Sequence, residues 1–568
     1  MPKINIQTRK DVHINSRSRV WDVVVVGLVF CIIIMLSEAT HTMGQPFAIG
    51  QEQPISLATS ALPEYALRSV TRMFYALLLS ILATFTFGTL AAKSKYAERI
   101  IIPIIDILQS IPILGFLSIG IPIFFKLFPG SYWGPECAAI LTIFTSQAWN
   151  MILSFYQSVK TVPKNMRSVA KVFGLNSWQV FWQIEVPYAM PGLLWNTMLS
   201  LSAGWFFVVG SEAFSYNGNE IMLPGIGSYI AKAVDLANNQ AIYKSLVAML
   251  LVIILYDQVL FRPMIAWAQK FNLAGDYGAS QSSWLLNIIQ KTEVSRIFGR
   301  MEFFRFKARK NKTEKIRILL AEQHKQILWR VFLGASIVTL AITIYQHIYL
   351  AVPIKSILHI TYLGSLTMLR VFLMIVLCCL IWVPIGVYIG LRPKLALKVQ
   401  PCIQFLAAFP TNLLFPLIVG IIIKYNLNIN IWSAPLLVLG TQWYILFNVI
   451  AGTMALPESL HDIARLLKIR DLLWWRSLII PGIFPHLLTG IISAAGGAWN
   501  ASILAEAVSW GSDNLYAKGI GAYITYTQKN GQITEMALAI VIMCIYVLII
   551  NHCIWQPLYR MSQKRFSN

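Results

Sequence analysis

The chain has 568 residues, of which 57% are hydrophobic and only 12% are charged. Soluble globular domains carry about 25% charged residues, so this composition excludes an ordinary soluble protein and indicates a membrane protein. The net charge of +22 does not by itself indicate nucleic acid binding, because Lys and Arg also accumulate in the cytoplasmic loops of membrane proteins.

The apolar runs predict an all-α membrane protein with about twelve transmembrane helices. A helix needs about 20 mostly apolar residues to cross the hydrocarbon of a bilayer. Twelve runs meet this length, and they begin near Val20, Val70, Ile100, Ala138, Pro191, Ile242, Leu328, Thr367, Val399, Ile431, His486 and Ala537. The first run has no small-residue cleavage site, so we expect it to be retained as a span.

The basic residues lie in alternate loops. They occur before the first run, around Lys93, around Lys171, between 264 and 327, around Lys394, around Arg470 and after the last run. An excess of Lys and Arg marks the cytoplasmic side of a membrane protein, so we expect both termini and these loops to face the cytoplasm. The positive charge then reflects topology in a lipid bilayer, and no nucleic acid partner is expected.

The second half of the chain repeats the first. Residues recur 294 positions later in the pairs Pro163/Pro457, Ala170/Ala464, Pro187/Pro481, Pro191/Pro485, Trp205/Trp499, Glu212/Glu506, Gly225/Gly519, Ile226/Ile520, Gly227/Gly521, Tyr229/Tyr523 and Pro263/Pro557. Upstream the shift is 298, in the pairs Ser69/Thr367, Arg72/Arg370, Gly88/Gly386, Pro103/Pro401 and Pro112/Pro410. The sequence therefore predicts two six-span repeats, 1–263 and 328–568. Because six is even, the repeats are parallel and their symmetry axis stands along the membrane normal.

Residues 264–327 join the two repeats and are rich in Lys and Arg. We expect a basic cytoplasmic linker, because this segment must connect two parallel halves. The stretch from Trp284 to Phe304 has apolar spacing, so amphipathic helices lying on the lipid headgroups are the other interpretation.

One polar loop between two spans has the pattern of two short helices hinged at a glycine, and we call such a loop an elbow. It reads SVAKVFGLNSWQVFWQIEVPYAMPG. Gly174 tolerates positive φ, and Asn176 or Ser177 can cap the second helix. We expect Pro187 to end that helix and Pro191 to begin the next span. A rigid elbow at the cytoplasmic ends of the spans could transmit force from a partner.

The elbow resembles the cytoplasmic signature of permease subunits of binding-protein-dependent ABC importers, E-A-A, three residues, G, nine residues, I, one residue, L-P. The matching residues in the first repeat are Ala170, Gly174, Ile184, Val186 and Pro187. The second repeat carries DIARLLKIRDLLWWRSLIIP, which matches at Asp462, Ala464, Ile480 and Pro481. The resemblance covers the six spans of each half. It is most similar to the nitrate, sulfonate, taurine and bicarbonate type, in the form where two permeases are fused in one chain.

Two positions depart from this signature. Ser168 replaces the glutamate of the first elbow, and Lys468 replaces the glycine of the second. A lysine forced to positive φ costs about 1 kcal/mol or more. We therefore expect the second elbow to bend differently or to stay more continuously helical, and the two docking surfaces to be unequal.

The resemblance implies a type I ABC importer permease fold in a bacterial inner membrane. It also implies two separate ABC ATPase subunits seated on the elbows, and an extracytoplasmic binding protein that delivers a small solute, such as nitrate, a sulfonate or bicarbonate. The sequence is consistent with an ATPase on another chain, because it contains no G-x-x-x-x-G-K-[ST] phosphate loop. The implied docking residues are Ser168, Ala170, Lys171, Gly174, Pro187, Asp462, Ala464, Lys468 and Pro481.

Polar and aromatic residues within the spans are candidates for the translocation path. Amides and indoles offer donors to an anion without a fixed charge, although packing or an interfacial belt is the commoner role of Trp. Glu212 and Glu506 recur near the outer ends of their spans, where an outer gate and a helix anchor are equally expected. The predicted path residues are Gln147, Asn150, Trp205, Glu212, Gln442, Trp499, Asn500 and Glu506, with Trp149 and Trp443 beside them.

The sequence predicts neither an enzyme nor a cofactor site. The seven cysteines and eight histidines show no metal-ligand spacing. The main alternative function is an ion-coupled secondary transporter of six plus six helices, which also has parallel halves. Such a protein needs membrane-embedded ionisable groups for the coupling ion, and no central pair recurs in both halves. A channel or scaffold, the third alternative, would have no use for two matched elbows.

Overall fold

The computed structural model describes residues 54–109, 111–216, 219–264, 353–511 and 513–566, with short pieces at 37–38, 40–41 and 44–47. The predicted spans that begin near Val20 and Leu328 lie outside these residues. So does almost all of the predicted linker 264–327.

The first half is helical apart from one β-hairpin. Its helices are α1 (Leu62–Ala83), α2 (Thr89–Lys93), α3 (Lys95–Leu108), α4 (Ile113–Leu127), α5 (Trp133–Thr161), α6 (Lys164–Val172), α7 (Ser177–Val180), α8 (Val186–Glu212), α9 (Ile226–Asp235) and α10 (Asn239–Tyr256). Between α8 and α9, strands β1 (Ala213–Tyr216) and β2 (Asn219–Met222) pair in antiparallel orientation. The hairpin is an element that the apolar pattern did not predict.

The second half repeats this order. Its helices are α11 (Ile354–Gly390), α12 (Pro393–Ala408), α13 (Phe415–Lys424), α14 (Ile429–Val438), α15 (Gln442–Met454), α16 (Glu458–Leu466), α17 (Asp471–Trp474), α18 (Ile480–Ala505), α19 (Ile520–Lys529), α20 (Ile533–Ile550) and α21 (Gln556–Phe566). Strands β3 (Ala507–Trp510) and β4 (Asp513–Tyr516) form the equivalent hairpin between α18 and α19. The predicted duplicated, helical architecture is confirmed.

Several helices can cross a membrane. Within the described residues, six helical segments are long and apolar enough, and three bent helix pairs raise the number to nine. The predicted third span of each half is divided. In the first half Pro112 separates α3 from α4, and in the second half Pro410 lies at a 75° bend between α12 and the segment Thr411–Lys424. The two prolines are repeat partners, so the duplicated halves share this break.

Wide π-helical turns interrupt the helices just before recurring prolines. The pairs are Phe181–Glu185 before Pro187, Asp257–Phe261 before Pro263, Trp475–Ile479 before Pro481 and Asn551–Trp555 before Pro557. Proline lacks an N–H group and its ring crowds the carbonyl four residues earlier, and a wider turn relieves both problems. The expectation that Pro187 ends a helix and Pro191 begins the next is therefore wrong. The helix runs from α7 through the π-turn into α8, with both prolines inside it.

The two halves pack against each other through related contacts. The Ile113 backbone N–H donates to Asn500 Oδ1 at 2.6 Å, and Asn412 Nδ2 donates to the Phe206 carbonyl at 3.0 Å. Asn500 and Phe206 occupy equivalent positions of the repeat. The contacts therefore follow an approximate twofold axis between the halves, as the parallel repeats predict.

Both hairpins lie at the same end of the bundle. The Gly511 N–H donates to the Val234 carbonyl at 2.9 Å, and Gln528 Nε2 donates to the Ser215 carbonyl at 3.2 Å. Each hairpin follows the carboxyl end of α8 or α18, and each elbow precedes the amino end of the same helix. Helix α8 has 27 residues and is about 40 Å long at about 1.5 Å per residue. The two elbows therefore lie at the end of the bundle opposite the hairpins.

Candidate functional site

The two short helices of the first elbow are α6 and α7, and a tight turn joins them. Gly174 has φ +68° and the Leu175 N–H donates to the Ala170 carbonyl at 3.0 Å. Asn176 caps α7, because its Oδ1 accepts from the Gln179 N–H at 2.8 Å and its own N–H donates to Gln179 Oε1 at 3.0 Å. The positive φ of Gly174 confirms the hinge predicted there. The reciprocal capping box confirms the cap predicted at Asn176.

In the second elbow, the turn that joins α16 to α17 has the same form as the turn at Gly174. Lys468 has φ +50°, and the Ile469 N–H donates to the Ala464 carbonyl at 2.9 Å. The expectation that this elbow stays more continuously helical is wrong, whereas a difference in bending is present at Asp471, whose positive φ has no counterpart at Ser177. The hydrogen-bonded turn imposes the left-handed conformation on Lys468, although a residue with a Cβ costs about 1–2 kcal/mol there. Asp471 also has positive φ, and Arg470 provides no side-chain cap for α17.

Both elbows carry exposed apolar side chains at equivalent positions. Val172 and Phe173 are 85% and 77% exposed, and their repeat partners Leu466 and Leu467 are 80% and 67% exposed. Apolar patches exposed to water mark interaction surfaces. These four side chains lie at the tips of the elbows, beyond the ends of the long spans.

The other predicted docking residues surround these tips. The small Ala170 and Ala464 are buried beneath the elbows, Pro187 and Pro481 are half-buried, and Ser168, Gly174, Asp462 and Lys468 are exposed. Asp462 forms an exposed ion pair with Arg465 at 3.6 Å. Lys171 lies in α6, and its side chain is outside the part that the structure describes. Docking at these residues stays a prediction.

A buried ion cluster stands at the hairpin end of the first half. Arg72 donates from Nη1 to Glu212 Oε1 at 2.6 Å and from Nε to Glu136 Oε2 at 2.6 Å. Ser69 Oγ donates to Glu212 Oε1 at 2.6 Å, and the Gly227 N–H donates to Glu212 Oε2 at 2.6 Å. Arg72, Glu136 and Glu212 are at most 1% exposed. The cluster ties α1, α5, α8 and the start of α9 together.

Two glycines allow the carboxylate to reach the amino end of α9. A Cβ on Gly225 would lie 2.3 Å from Glu212 Oε2, and a Cβ on Gly227 would lie 2.4 Å from the Val209 carbonyl. Glu212 then accepts a hydrogen bond in the first turn of α9, where the helix dipole favours negative charge. The recurring Gly-Ile-Gly motif therefore serves close approach between a carboxylate and a helix.

Glu506 forms the equivalent cluster with one acid fewer. Arg370 Nη1 and Thr367 Oγ1 each donate to Glu506 Oε1 at 2.8 Å. Asn430 stands at the repeat position of Glu136, and its backbone carbonyl accepts from Arg370 Nε at 3.1 Å. The arginine of the first half thus has two carboxylate partners, and that of the second half has one.

These contacts support the anchoring role for Glu212 and Glu506 over the gating role. Each carboxylate is enclosed by an arginine, a hydroxyl and a backbone amide, and neither is among the residues that line the cavity of about 510 Å³ between the halves. Sequence reasoning did not predict that Arg72 and Arg370 are the partners of Glu212 and Glu506. The available signal was that the two arginines recur at the shift of 298 residues.

Among the other predicted path residues, the largest side chains pack inside their own half. Trp205 is 2% exposed and contacts the Tyr256 ring edge-on at 5.4 Å, and Trp499 is 4% exposed and stacks on Tyr546 at 6.2 Å. Gln147 is buried, and its Nε2 lies 3.2 Å from Met73 Sδ.

The remaining path candidates are dispersed. Asn150 is exposed, Gln442 Oε1 accepts from Trp382 Nε1 at 3.0 Å, and Asn500 bonds across the interface to the amide of Ile113. The structure does not bring the predicted path residues into one site, and their role in transport stays a prediction.

A cavity of about 510 Å³ opens between the halves at the hairpin end. Residues from both halves line it, including Phe214, Asp235, Asn412, Phe415, Tyr516 and Lys529. Burial and the nearby carboxylate of Glu220 raise the pKa of Asp235 above its usual range. The approximate twofold axis passes between the halves here, which is where a pathway is expected in a parallel duplicated bundle. Within the described ranges no group of three or more His, Cys, Asp or Glu residues could hold a metal ion.

Comparison with known proteins identifies both repeats. The family described as binding-protein-dependent transport system inner membrane component matches residues 84–261 and 382–566. The bicarbonate transport system permease protein CmpB of Synechococcus elongatus is 26% identical over 166 residues, which cover 29% of this chain and 56% of that protein.

Two further relatives are also named as permease proteins. The nitrate import permease protein NrtB of Leptolyngbya laminosa is 29% identical over 109 residues, 19% of this chain and 37% of that protein. The taurine transport system permease protein TauC of Escherichia coli is 26% identical over 185 residues, 32% of this chain and 64% of that protein. The chain spans about half the length of the curated relatives it matches. The family match covers more than half of the chain and occurs once in each repeat, so this chain belongs to the binding-protein-dependent transport system inner membrane components, as a duplicated permease.

Proposed function

We propose that this chain is the transmembrane subunit of an ABC importer and that it carries both halves of the pathway for a small solute. The family match in both repeats supports this role. Relatives named for bicarbonate, nitrate and taurine transport support a small anionic or zwitterionic solute. An anion such as nitrate, a sulfonate or bicarbonate is the solute class that we propose.

The pair of matched elbows is the observation that carries the proposal. Both have a left-handed turn at the same repeat position, at Gly174 and Lys468, and both expose two large apolar side chains at their tips. Apolar side chains at the end of a bundle need a partner that covers them. We propose that two ATPase subunits cover them, one on each elbow, because the sequence contains no phosphate loop of its own.

The helix that leaves each elbow can carry motion across the membrane. In the first half α7 continues through Phe181–Glu185 into α8, which ends at Glu212. ATP-driven closure of the ATPases would bring the elbows together, and α8 and α18 would act as levers on the hairpin end. The ion clusters at Glu212 and Glu506 keep the far ends of these levers rigid. Hydrolysis would then reset the bundle to face inward.

The proposed orientation places the elbows and both termini in the cytoplasm, in accordance with the basic residues near Lys93, Lys394 and Arg470. The hairpin end and its cavity would then face outward. An extracytoplasmic binding protein would deliver the solute there.

Uptake by proteoliposomes tests this function. The full chain is reconstituted with its ATPase and binding protein, and uptake of nitrate, bicarbonate and taurine is measured with and without ATP. We expect uptake that requires ATP, the ATPase and the binding protein together. Uptake driven by an ion gradient without ATP would instead support the secondary transporter.

A further inference from the structure

The second half contains a helix break that the first half does not share. Helix α14 ends at Val438 and α15 begins at Gln442, with a 41° bend between their axes. The equivalent residues of the first half, 145–147, lie inside the uninterrupted helix α5. The amides of a first helical turn have no partner four residues earlier in the helix. At the amino end of the 13-residue α15 the Thr441 N–H donates to the Val438 carbonyl at 3.0 Å and the Tyr444 N–H to the Thr441 carbonyl at 3.1 Å, which leaves the amides of Gln442 and Trp443 as the unpaired donors of that turn among the described residues.

Within a membrane, such a break is tolerated where it is covered by protein or lines a cavity. A small cavity of about 60 Å³ adjoins the break between α14 and α15. Its lining is mainly apolar, with Phe206 among the residues from the first half, and its polar side chains are those of Thr411, Thr441 and Tyr444 from the second half, beside Gly440. The free volume exceeds what a single water requires and is far below the roughly 300 Å³ of a drug-sized site. It therefore suits a solute of a few non-hydrogen atoms.

Two buried hydroxyl groups converge on the break. Thr411 is 5% exposed and Thr441 is 8% exposed. A Cβ on Gly440 would lie only 2.6 Å from Thr411 Oγ1, so that hydroxyl is directed at the backbone of the break. Thr441 Oγ1 is buried and has no hydrogen-bond partner among the described residues. A buried hydroxyl without a partner costs about 1–3 kcal/mol, and a bound ligand would remove that cost.

The lining selects the charge of that ligand. It contains no ionised side chain. The amino end of α15 carries the positive end of the helix dipole, equivalent to roughly half a charge, and such ends bind anions. Broken membrane helices whose amino ends face an anionic group are a recurring device of transporters. Hydroxyl donors beside the break add hydrogen bonds without a fixed positive charge that would hold an anion too tightly.

We propose that residues 439–441 and Thr411 form a binding subsite for a small monovalent oxyanion, and that the second half alone carries it. This proposal rests on the proposed function, whose solute it narrows to ions of about nitrate or bicarbonate size. In the first half Gln147 stands at the repeat position of Thr441, and its side chain is buried. Its Nε2 contacts Met73, and both side chains approach Gly204 closely. The duplicated chain is therefore asymmetric at the point where it holds its solute.

Direct binding of nitrate tests the subsite. The full chain, in lipid nanodiscs without ATPase or nucleotide, is titrated with nitrate by calorimetry. Thr441→Val removes the hydroxyl at constant shape, and we expect at least a tenfold loss of affinity because a hydrogen bond to an ion is lost. Thr441→Ser should bind within about twofold of the native chain, since serine keeps the one O–H donor. Thr453→Val is the matched control on α15, because the Thr453 hydroxyl is buried but donates to the Val449 carbonyl at 2.8 Å.

Thr411→Val provides a second variant with the same expected loss, in case the first does not fold. Guanidinium, a planar cation with four non-hydrogen atoms like nitrate, should not bind. Unchanged nitrate affinity in both hydroxyl variants would overturn the proposal, and so would the absence of nitrate and bicarbonate binding or equal binding of guanidinium. Because the assay contains no ATPase, failure of the ATPase partnership leaves its result interpretable. ATP-dependent uptake together with unchanged binding in the variants would reject the subsite alone.

Discussion

Arg72 and Glu212 lie 140 positions apart in the sequence and meet in a buried ion pair of 2.6 Å at the hairpin end. The repeat partners Arg370 and Glu506 meet at 2.8 Å, and the Arg370 side chain is 12% exposed. Glu136 adds a second carboxylate to the first pair only. Each half is thus anchored internally by the same kind of ion pair, and the first pair carries one more carboxylate than the second.

We predict that Arg72→Met destabilises the protein more than Arg370→Met. Removing one partner of a buried ion pair costs about 3–5 kcal/mol because a charge is left uncompensated. Arg72→Met leaves two such carboxylates, whereas Arg370→Met leaves Glu506 alone. The measurement is the thermal unfolding of purified protein in detergent, followed by intrinsic fluorescence. Equal losses in the two variants would contradict the inequality of the clusters.

Gly227→Ala and Gly521→Ala should each lower stability by about 1–3 kcal/mol, the typical cost of overpacking. The new Cβ would lie 2.4 Å from the Val209 carbonyl in the first half and 2.3 Å from the Ser502 carbonyl in the second. Backbone atoms cannot move aside as a flexible side chain can. Gly496→Ala is the control, because its Cβ would meet nothing within 4 Å, and helical alanine is favoured over glycine by about 0.5–1 kcal/mol. The measurement is the free energy of unfolding of the three variants, taken from their unfolding curves. A loss of stability in Gly496→Ala equal to that in the other two variants would refute the steric explanation.

Sequence reasoning succeeded where the determining chemistry is local. The hinge at Gly174 and the cap at Asn176 follow from residues within one short loop. The duplicated order of helices follows from residue recurrence at fixed spacing. Such features depend on backbone preference and periodicity, which a sequence displays directly.

It failed where distant segments decide the outcome. The pairing of Arg72 with Glu212 depends on how α1 packs near the end of α8, and no local pattern encodes that approach. The break at residues 439–441 has a glycine but no proline, so an apolar run conceals it. Lys468 has a local preference for negative φ, and the hydrogen-bonded turn around it overrides that preference. The prolines inside α8 are tolerated because a π-turn precedes them, which hydrophobic patterning cannot predict.

Lys468→Gly should stabilise the protein by up to about 1 kcal/mol. Glycine removes the cost of a Cβ at positive φ, although part of the gain is offset by greater freedom of the unfolded chain. Gly174→Ala is the reciprocal test, and we expect a loss of about 1 kcal/mol. A Cβ at Gly174 meets no atom within 4 Å, so this loss would report backbone strain alone. The shift of the unfolding midpoint measures both effects, and a destabilising Lys468→Gly would show that the turn is held by something other than its backbone geometry.

Crosslinking at the tips of the elbows tests the central claim most directly. A photoreactive amino acid replaces Phe173 or Leu467 in the full chain, which is coexpressed with its ATPase and irradiated with and without ATP. A matched position is Tyr526, which is 50% exposed near the opposite, hairpin end of the bundle. We predict crosslinks to the ATPase from both elbow positions, with yields that change on nucleotide binding, and none from residue 526. An absence of ATPase crosslinks from both elbows, or equal crosslinks from residue 526, would contradict the account.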